Sequence, residues 1–267
     1  EAVREIIMEE YEDKIGTVIV GTVQRVEPRL VRVDLGKATG ILPASEQIPG
    51  EYYGVGSRIK VFLKDVEKGN RGPQLVLSRA NEPFIEYLFR QEVPEMDSGA
   101  VEIKGIARQA GMRTKLAVAS TVPGVDPVGT FVGGHGTRVQ AVMNEIGEQE
   151  KIDIITFSED IETYIKNALS PTEVIRVELN VASKHAKVIV DQSQLSIAIG
   201  KGGQNVRLAS KLTGYELDIE SGEEAKAPEA PVVEQPVEEK PAAKPVKPKR
   251  RDDIEAGLLG AIEEHGE

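Results

Sequence analysis

Two short segments, Gly133-Gly134-His135-Gly136 and Gly200-Lys201-Gly202-Gly203, have the residue types and spacing to receive a phosphate group. Each lies between apolar runs, in "FVGGHGTRVQAV" and "IAIGKGGQNVRLA", with Val132 and Ile199 ahead of the glycines and Val139 and Val206 behind them at matching positions. The first turn of a helix carries unpaired backbone N–H groups and the positive end of the helix dipole, so it takes an anion where no Cβ holds the phosphate off. Glycine on both sides of two variable residues gives that access. His135 and Lys201 would add a donor to each loop, and Thr137 and Arg138, like Gln204, Asn205 and Arg207, follow at the start of the next helix. A single Gly-x-x-Gly is as readily a turn between packed helices; two copies in one context favour a ligand.

Other glycine chemistry does not fit. "GKGGQN" lacks the Lys-Ser/Thr ending of a phosphate-binding P-loop, and a dinucleotide fingerprint needs a third glycine where Asn205 stands. His135, His185 and His265 are scattered and there is no cysteine, so no metal-ligand spacing and no thiol chemistry is present in the sequence. Carboxylates are plentiful, but none sits beside a recognisable nucleophile or base. The chain is read as a non-enzyme that needs no cofactor and no metal.

The loops need helices and strands to hold them, and the periodicity supplies these twice. In 81–157, "EPFIEYLFRQEV" is a helix through Phe84, Ile85, Leu88 and Phe89, "AVEIKGIAR" and "TKLAVAS" are strands, a short and a longer helix flank the first loop, and "EKIDIITF" is a strand. In 158–222 the cycle repeats from "DIETYIKNAL" to "YELDIES". Two units of helix, strand, strand, helix, Gly-x-x-Gly, helix, strand resemble tandem prokaryotic (type II) α+β KH domains, whose loop clamps about four nucleotides. That resemblance implies single-stranded RNA as the ligand. Gln204, Asn205 and Arg207 are then placed to donate to base edges, and Lys115, Arg138, Lys184, Lys187, Lys201 and Arg207 are expected to gather round the two loops. The second loop, with a lysine where the first has a histidine, is expected to weigh more. Almost no linker separates the units, so they are expected to form one binding surface.

Ahead of them, 14–80 reads as short β-rich runs with Gly and Pro punctuation, "GTVIVGTVQRVE", "LVRVDLG", "ATGILPAS", "RIKVFLKDVEK" and "QLVLSR". Five such strands suggest a closed all-β OB-fold barrel, and their order resembles the RNA-binding repeat of ribosomal protein S-one. Such barrels stack bases on aromatic rings, whereas these strands carry only Phe62, with Tyr52 and Tyr53 in a loop. The barrel is therefore expected to contribute charge and no base preference, through candidates such as Arg25, Arg29, Arg32 and Lys37.

Composition limits the alternatives. The 267 residues are 40% hydrophobic with net charge −11, an acidic balance that counts against a nucleic-acid binder taken whole. Much of it lies at the ends. Residues 223–267 mix Pro, Ala, Glu and Lys without apolar periodicity and are expected to be disordered, apart from a short helix through Ile254, Leu258, Leu259 and Ile262. Residues 1–13 read as an acidic helix with Val3, Ile6, Ile7 and Tyr11 on one stripe, entered partway along and linking to something ahead of it. No run approaches the length of a membrane span, and the cytosol is the expected compartment.

An acidic linking helix, an S-one-type barrel and two KH units in one chain resemble the NusA family of transcription elongation and termination factors. "DPVGTFVGGHGTRVQAVMNEI" and "VIVDQSQLSIAIGKGGQNVRLASKLTGYELDI" carry the likeness, which covers nearly all of Lys14 to Ser221. It implies nascent RNA, RNA polymerase and other Nus factors as partners, a monomer, and no membrane. Polymerase binding is implied by the family through a domain that residues 1–267 do not include. A KH/OB adaptor without RNA, or a ribonuclease-associated protein, is the alternative; polynucleotide phosphorylase carries such parts singly and in the opposite order.

Overall fold

The structure, a computed structural model, describes residues 2–222; the tail and the short helix expected within 223–267 lie outside the described residues. Helix α1 (Ala2–Glu12) leads into β1 (Val18–Val26), β2 (Leu30–Asp34), β3 (Thr39–Pro43), β4 (Arg58–Gly69) and β5 (Gly72–Ser78). The five strands close into a barrel in the order β1-β2-β3-β5-β4, as expected of an OB fold. Val23, Val33, Leu42, Leu63, Leu75 and Leu77 fill it from alternate strand positions. Tyr11 of α1 is buried against the barrel and its hydroxyl donates to the Leu35 carbonyl at 3.0 Å, with Ile7 and Met8 beside it. Val3 and Ile6, read as the same stripe, stand 69% and 63% exposed. The helix rests on the barrel through its second half only.

The barrel's aromatic residues differ from expectation. Phe62 is buried in the core shared with the first KH unit, where it faces Phe84 and its neighbours rather than solvent. Tyr53 lies in the loop expected but is buried there: its hydroxyl accepts from the Ile48 amide and donates to Glu51, and burial beside that carboxylate raises its pKa. Tyr52 alone projects, at 91% exposure.

The first KH unit comprises α2 (Glu82–Glu92), β6 (Val101–Gln109), β7 (Arg113–Ser120), α3 (Pro127–Val132), α4 (Thr137–Ile146) and β8 (Lys151–Thr156). The second repeats it with α5 (Ile161–Ala168), β9 (Val174–Asn180), β10 (His185–Val190), α6 (Leu195–Ile199), α7 (Gln204–Thr213) and β11 (Glu216–Ser221). Each sheet, β6-β7-β8 and β9-β10-β11, has one antiparallel and one parallel pair, the expected type II arrangement. The opening helices are capped as their sequences dictate: Asn81 accepts from the Phe84 amide and Asp160 from the Thr163 amide.

Alternation along β7 fixes how the units stack. Leu116 and Val118 point into the core under α2, α3 and α4, while Lys115 and Ala117 point the other way, and onto that second face pack α5 and α7. Small residues let the helices approach: a Cβ on Gly105 would lie 3.1 Å from Leu212 Cδ1 and 3.3 Å from the Tyr164 hydroxyl. Helices α5, α6 and α7 cover the second sheet in turn, so the two units form four layers of helix, sheet, helix, sheet.

Buried arginines join barrel to KH unit. Arg79, with its side chain 2% exposed, donates to Glu51 at 2.6 Å, to the Lys60 carbonyl at 2.6 Å and to the Glu145 carbonyl at 2.9 Å. Arg108 and Glu150, both fully buried, pair at 2.8 Å, and Arg108 also donates to the Arg79 and Asn81 carbonyls. Such pairs recover their desolvation cost only in one geometry, so they set orientation more than they add stability.

Candidate nucleic-acid interface

The two loops have one backbone. Gly133 and Gly200 have φ +80° and +77°, His135 and Gly202 +56° and +62°, Gly136 and Gly203 +71° and +73°. In each, the fourth amide donates to the first carbonyl at 3.1 Å. The equivalent of Lys201 is therefore Gly134, and the equivalent of His135 is Gly202; the two donors expected to match sit one position apart. His135 holds a left-handed conformation that glycine adopts more freely. The helices behind the loops, α4 and α7, start on Gly136 and Gly203 without any side-chain cap, unlike α2 and α5. The first amide of each helix, on Thr137 and Gln204, donates back to the Gly134 and Lys201 carbonyls, and the missing Cβ of Gly134, Gly202 and Gly203 leaves open space beside the turn. The same open approach to a helix start without a side-chain cap is thus built twice.

The first glycine of each loop has a different duty. A Cβ on Gly133 would lie 2.7 Å from Arg138 Cγ, and one on Gly200 would lie 2.9 Å from both Cβ and N of Asn205. Arg138 and Asn205, expected to face RNA, are clamps. Arg138 makes two bonds to Glu95, at 2.9 and 3.1 Å, and a third to the Thr130 carbonyl, holding α3, α4 and the turn at Pro94–Met96 together. Its hydrogen bonds hold the Glu95 carboxyl below the usual carboxylate range. Asn205 is buried, and its amide donates to the Ala198 carbonyl at 3.0 Å and the Leu169 carbonyl at 3.2 Å. Side-chain atoms of Gln204 are also buried, its amide nitrogen without a partner among the described residues.

Three more expected contacts lie elsewhere. Lys115 is fully buried between the first sheet and the second unit, pairing with Asp153 at 3.1 Å and donating to the Ser170 carbonyl at 2.9 Å. Burial lowers its pKa, with Asp153 opposing. Lys187 alternates with buried Ala186 and Val188, so it points to the outer face of the second sheet, where it pairs with Glu220 at 2.8 Å. Lys184 occupies the β9–β10 turn, its carbonyl bonded by Glu216 just beyond the C-terminal end of α7. That is the far end of a ten-residue helix from the loop, about 15 Å away. The structure brings together at the second loop Lys201, which is exposed, and Arg207, which donates to the Gly202 carbonyl at 3.4 Å and to Gln109 of the first unit at 2.9 Å. At the first loop His135 and Thr137 are both exposed, on either side of Gly136.

The barrel adds a cleft of about 600 Å³ between β2, β3 and the β4–β5 turn, lined by Arg32, Lys37, Arg71 and Gln74. Over 14–81 the chain has eleven lysines and arginines against six acidic residues, so the one basic domain sits inside an acidic total. Lys37 is held by Glu10 at 2.7 Å and Arg32 by Glu27 at 3.3 Å, whereas Arg71 has no ion pair among the described residues. Sequence reasoning passed over Arg71; its position in the tight turn Gly69-Asn70-Arg71-Gly72 was the signal available.

Residues 12–78 match the S1 RNA binding domain, residues 79–157 the NusA-like first KH domain and residues 161–227 the NusA-like second KH domain. A protein of Thermus thermophilus named transcription termination/antitermination protein NusA is 53% identical over 224 residues, 84% of this chain and 58% of its own. Proteins of the same name from Halalkalibacterium halodurans and Bacillus subtilis are 48% and 46% identical, over 84% and 85% of this chain and 59% and 61% of theirs. The chain thus spans about three fifths of the length of these relatives. Its parts, their order and their identity to these relatives make it, from the S1 barrel through both KH units, a member of the NusA family.

Proposed function

We propose that the chain is the RNA-binding part of a bacterial transcription factor that engages nascent single-stranded RNA and modulates pausing, termination and antitermination by RNA polymerase. The observation that carries this reading is the pair of uncapped helix starts behind identical glycine loops, in two units packed without a flexible linker. Backbone N–H groups and Lys201 receive phosphates, the grooves beside the loops take bases, and the basic barrel adds charge. No bond is made or broken: the part is non-enzymatic, acts as a monomer in the cytoplasm, and meets RNA polymerase and other Nus factors through the longer protein. Among the described residues no helix is long and apolar enough to cross a membrane.

Filter binding of single-stranded RNA tests it. An RNA that reaches both loops should bind at least about a hundredfold tighter than half of it, because the second engagement is intramolecular. Gly134→Asp with Lys201→Asp places a carboxylate at the same point of each loop, where neither residue has a positive φ, and should abolish that gain with the fold intact. Unchanged affinity in the folded double variant would remove the loops from the interface.

A further inference from the structure

The two loops lie at opposite ends of the first sheet and on opposite faces of it. Helix α4 starts at the Val101–Ser120 end, where Arg138 reaches Glu95, and finishes near Lys151. Helix α7, on the other face, starts beside Gln109 and ends near Gly105. A strand bound to both must round an edge of that sheet. At the β6 edge Glu82, Glu86 and Glu102 each pair with a cation, Lys211, Arg90 and Lys104, so the basic side chains there are already occupied by carboxylates. The other edge is β8, which pairs with β7 alone and so presents unpaired backbone groups.

At that edge lies a cleft of about 380 Å³, the size of a small ligand site. Val128 and Ile154 of the first unit form one wall, and Lys166, Asn167, Pro171 and Thr172 of the second form the other. Asn167 ties its amide to the Thr156 carbonyl at 3.0 Å, and Leu169 is tied to Asn205 behind the second loop, so the segment between them runs from one unit's edge strand to the other's phosphate site. Thr172 is 94% buried in that wall, and its hydroxyl has no partner among the described residues. A buried hydroxyl left so is costly, and a χ1 rotation would turn it to a group bound in the cleft that Thr172 lines.

We propose that this cleft is a nucleobase subsite shared by the two units, and that Thr172 decides which base enters it. The base lies between Val128, Ile154 and Pro171, the Thr172 hydroxyl, donor and acceptor both, bonds its edge, and Lys166, which pairs with Glu162 at 2.9 Å, exchanges that carboxylate for the neighbouring phosphate. The proposal rests on the RNA reading above and extends it to a residue outside either loop.

The test uses the full chain and a panel of RNAs spanning both loops, with each position varied through the four bases. At one position Thr172→Val should weaken the preferred base by about tenfold and flatten the ranking, as expected for one lost hydrogen bond to a base. Thr172→Ser, which keeps the hydroxyl, should retain the ranking. Half-length RNAs confined to one loop should bind all three proteins alike. Thermal melting of Thr172→Val should hold or rise, since the hydroxyl has no protein partner to lose among the described residues and its unpaired burial is costly. If Thr172→Val shifts every RNA equally or none, while the double loop variant still abolishes binding, the subsite is wrong and the loops stand; if the loop variant also binds normally, the RNA reading itself has failed.

Discussion

The two Gly-x-x-Gly loops share a backbone but are anchored by opposite means. Behind the first stands a partly exposed ion pair, Arg138 with Glu95; behind the second, a buried neutral amide, Asn205, bonded to two carbonyls. In both, the side chain two positions into the helix covers the first glycine and holds the preceding helix. One geometry can thus be met by charge or by burial. The choice follows the surroundings: α7 lies between two sheets, where an unpaired charge is expensive, while α4 lies at the outer layer where water supports one.

The largest effects come from filling the space these anchors occupy. Gly200→Ala sets a Cβ against the backbone of a buried residue at positive φ and should cost about 2–3 kcal/mol, with RNA affinity at the second loop lost alongside. Gly133→Ala meets the Arg138 backbone N and Cβ at 3.0 Å and should cost only a little less, because Arg138 is half-buried where Asn205 is buried. Thermal melting of the two variants side by side checks the order; equal costs would mean that burial does not distinguish the anchors.

Removing the anchors gives the next effect. Asn205→Ala strips donors from two buried carbonyls and should cost about 1–3 kcal/mol, partly offset because its own side-chain oxygen has no partner among the described residues. Arg138→Ala loses a half-exposed pair and one carbonyl bond, about 1 kcal/mol, and that loss should shrink with added salt. Denaturant titrations at two ionic strengths separate the cases: salt dependence in the Asn205 variant would contradict the assignment.

Much of this was legible in the sequence and some was not, for identifiable reasons. The strands, helices and loops follow from apolar period and glycine placement, which are local. Arg138 and Asn205 read as surface donors because polar residues at a helix start usually face solvent, and nothing local says that a glycine five residues earlier leaves space for them. Lys115 failed differently. Alternation already put it opposite Leu116, but which face a second domain covers is not a local property; the clue was Gly105, Ala107 and Ala117 on the same face, too small for a solvated surface. Lys187, between Ala186 and Val188, could have been assigned to the outer face by the same alternation.

A smaller effect follows from acid. Glu95 has a pKa below its ordinary 4.5 because Arg138 bonds its charged form. A carboxyl depressed in the folded state contributes stability that is present above its unfolded value and lost as pH falls through the folded one. The first loop should therefore loosen below pH 4.5, while the second, anchored by an amide, has no such transition. Hydrogen exchange of the first amides of α4 and α7, followed as pH is lowered, should show α4 opening first. Simultaneous opening would mean that the Glu95 pair does not hold the loop.

The smallest effect expected on RNA is the most direct check on where the interface ends. Lys115→Met removes a cation once placed among the RNA contacts, yet its ammonium is enclosed between layers and faces Asp153 and the Ser170 carbonyl. Asp153 keeps Arg113, at 2.6 and 3.2 Å, so no carboxylate is left unpaired. Stability should change by no more than about 1 kcal/mol, since a lost hydrogen bond is set against a relieved desolvation cost. The sign of the pH dependence follows from the lowered pKa: the folded state binds the proton less well than the unfolded chain, so the penalty of the buried charge recedes as pH rises towards the ordinary 10.5. Wild type should accordingly gain on the variant across that alkaline range in denaturant titrations. RNA affinity should stay within about twofold, and the slope of affinity against salt should keep its wild-type value, because a phosphate contact removed would lower that slope by nearly one. A folded Lys115→Met protein with a reduced slope would return Lys115 to the interface and require the two units to part when RNA binds.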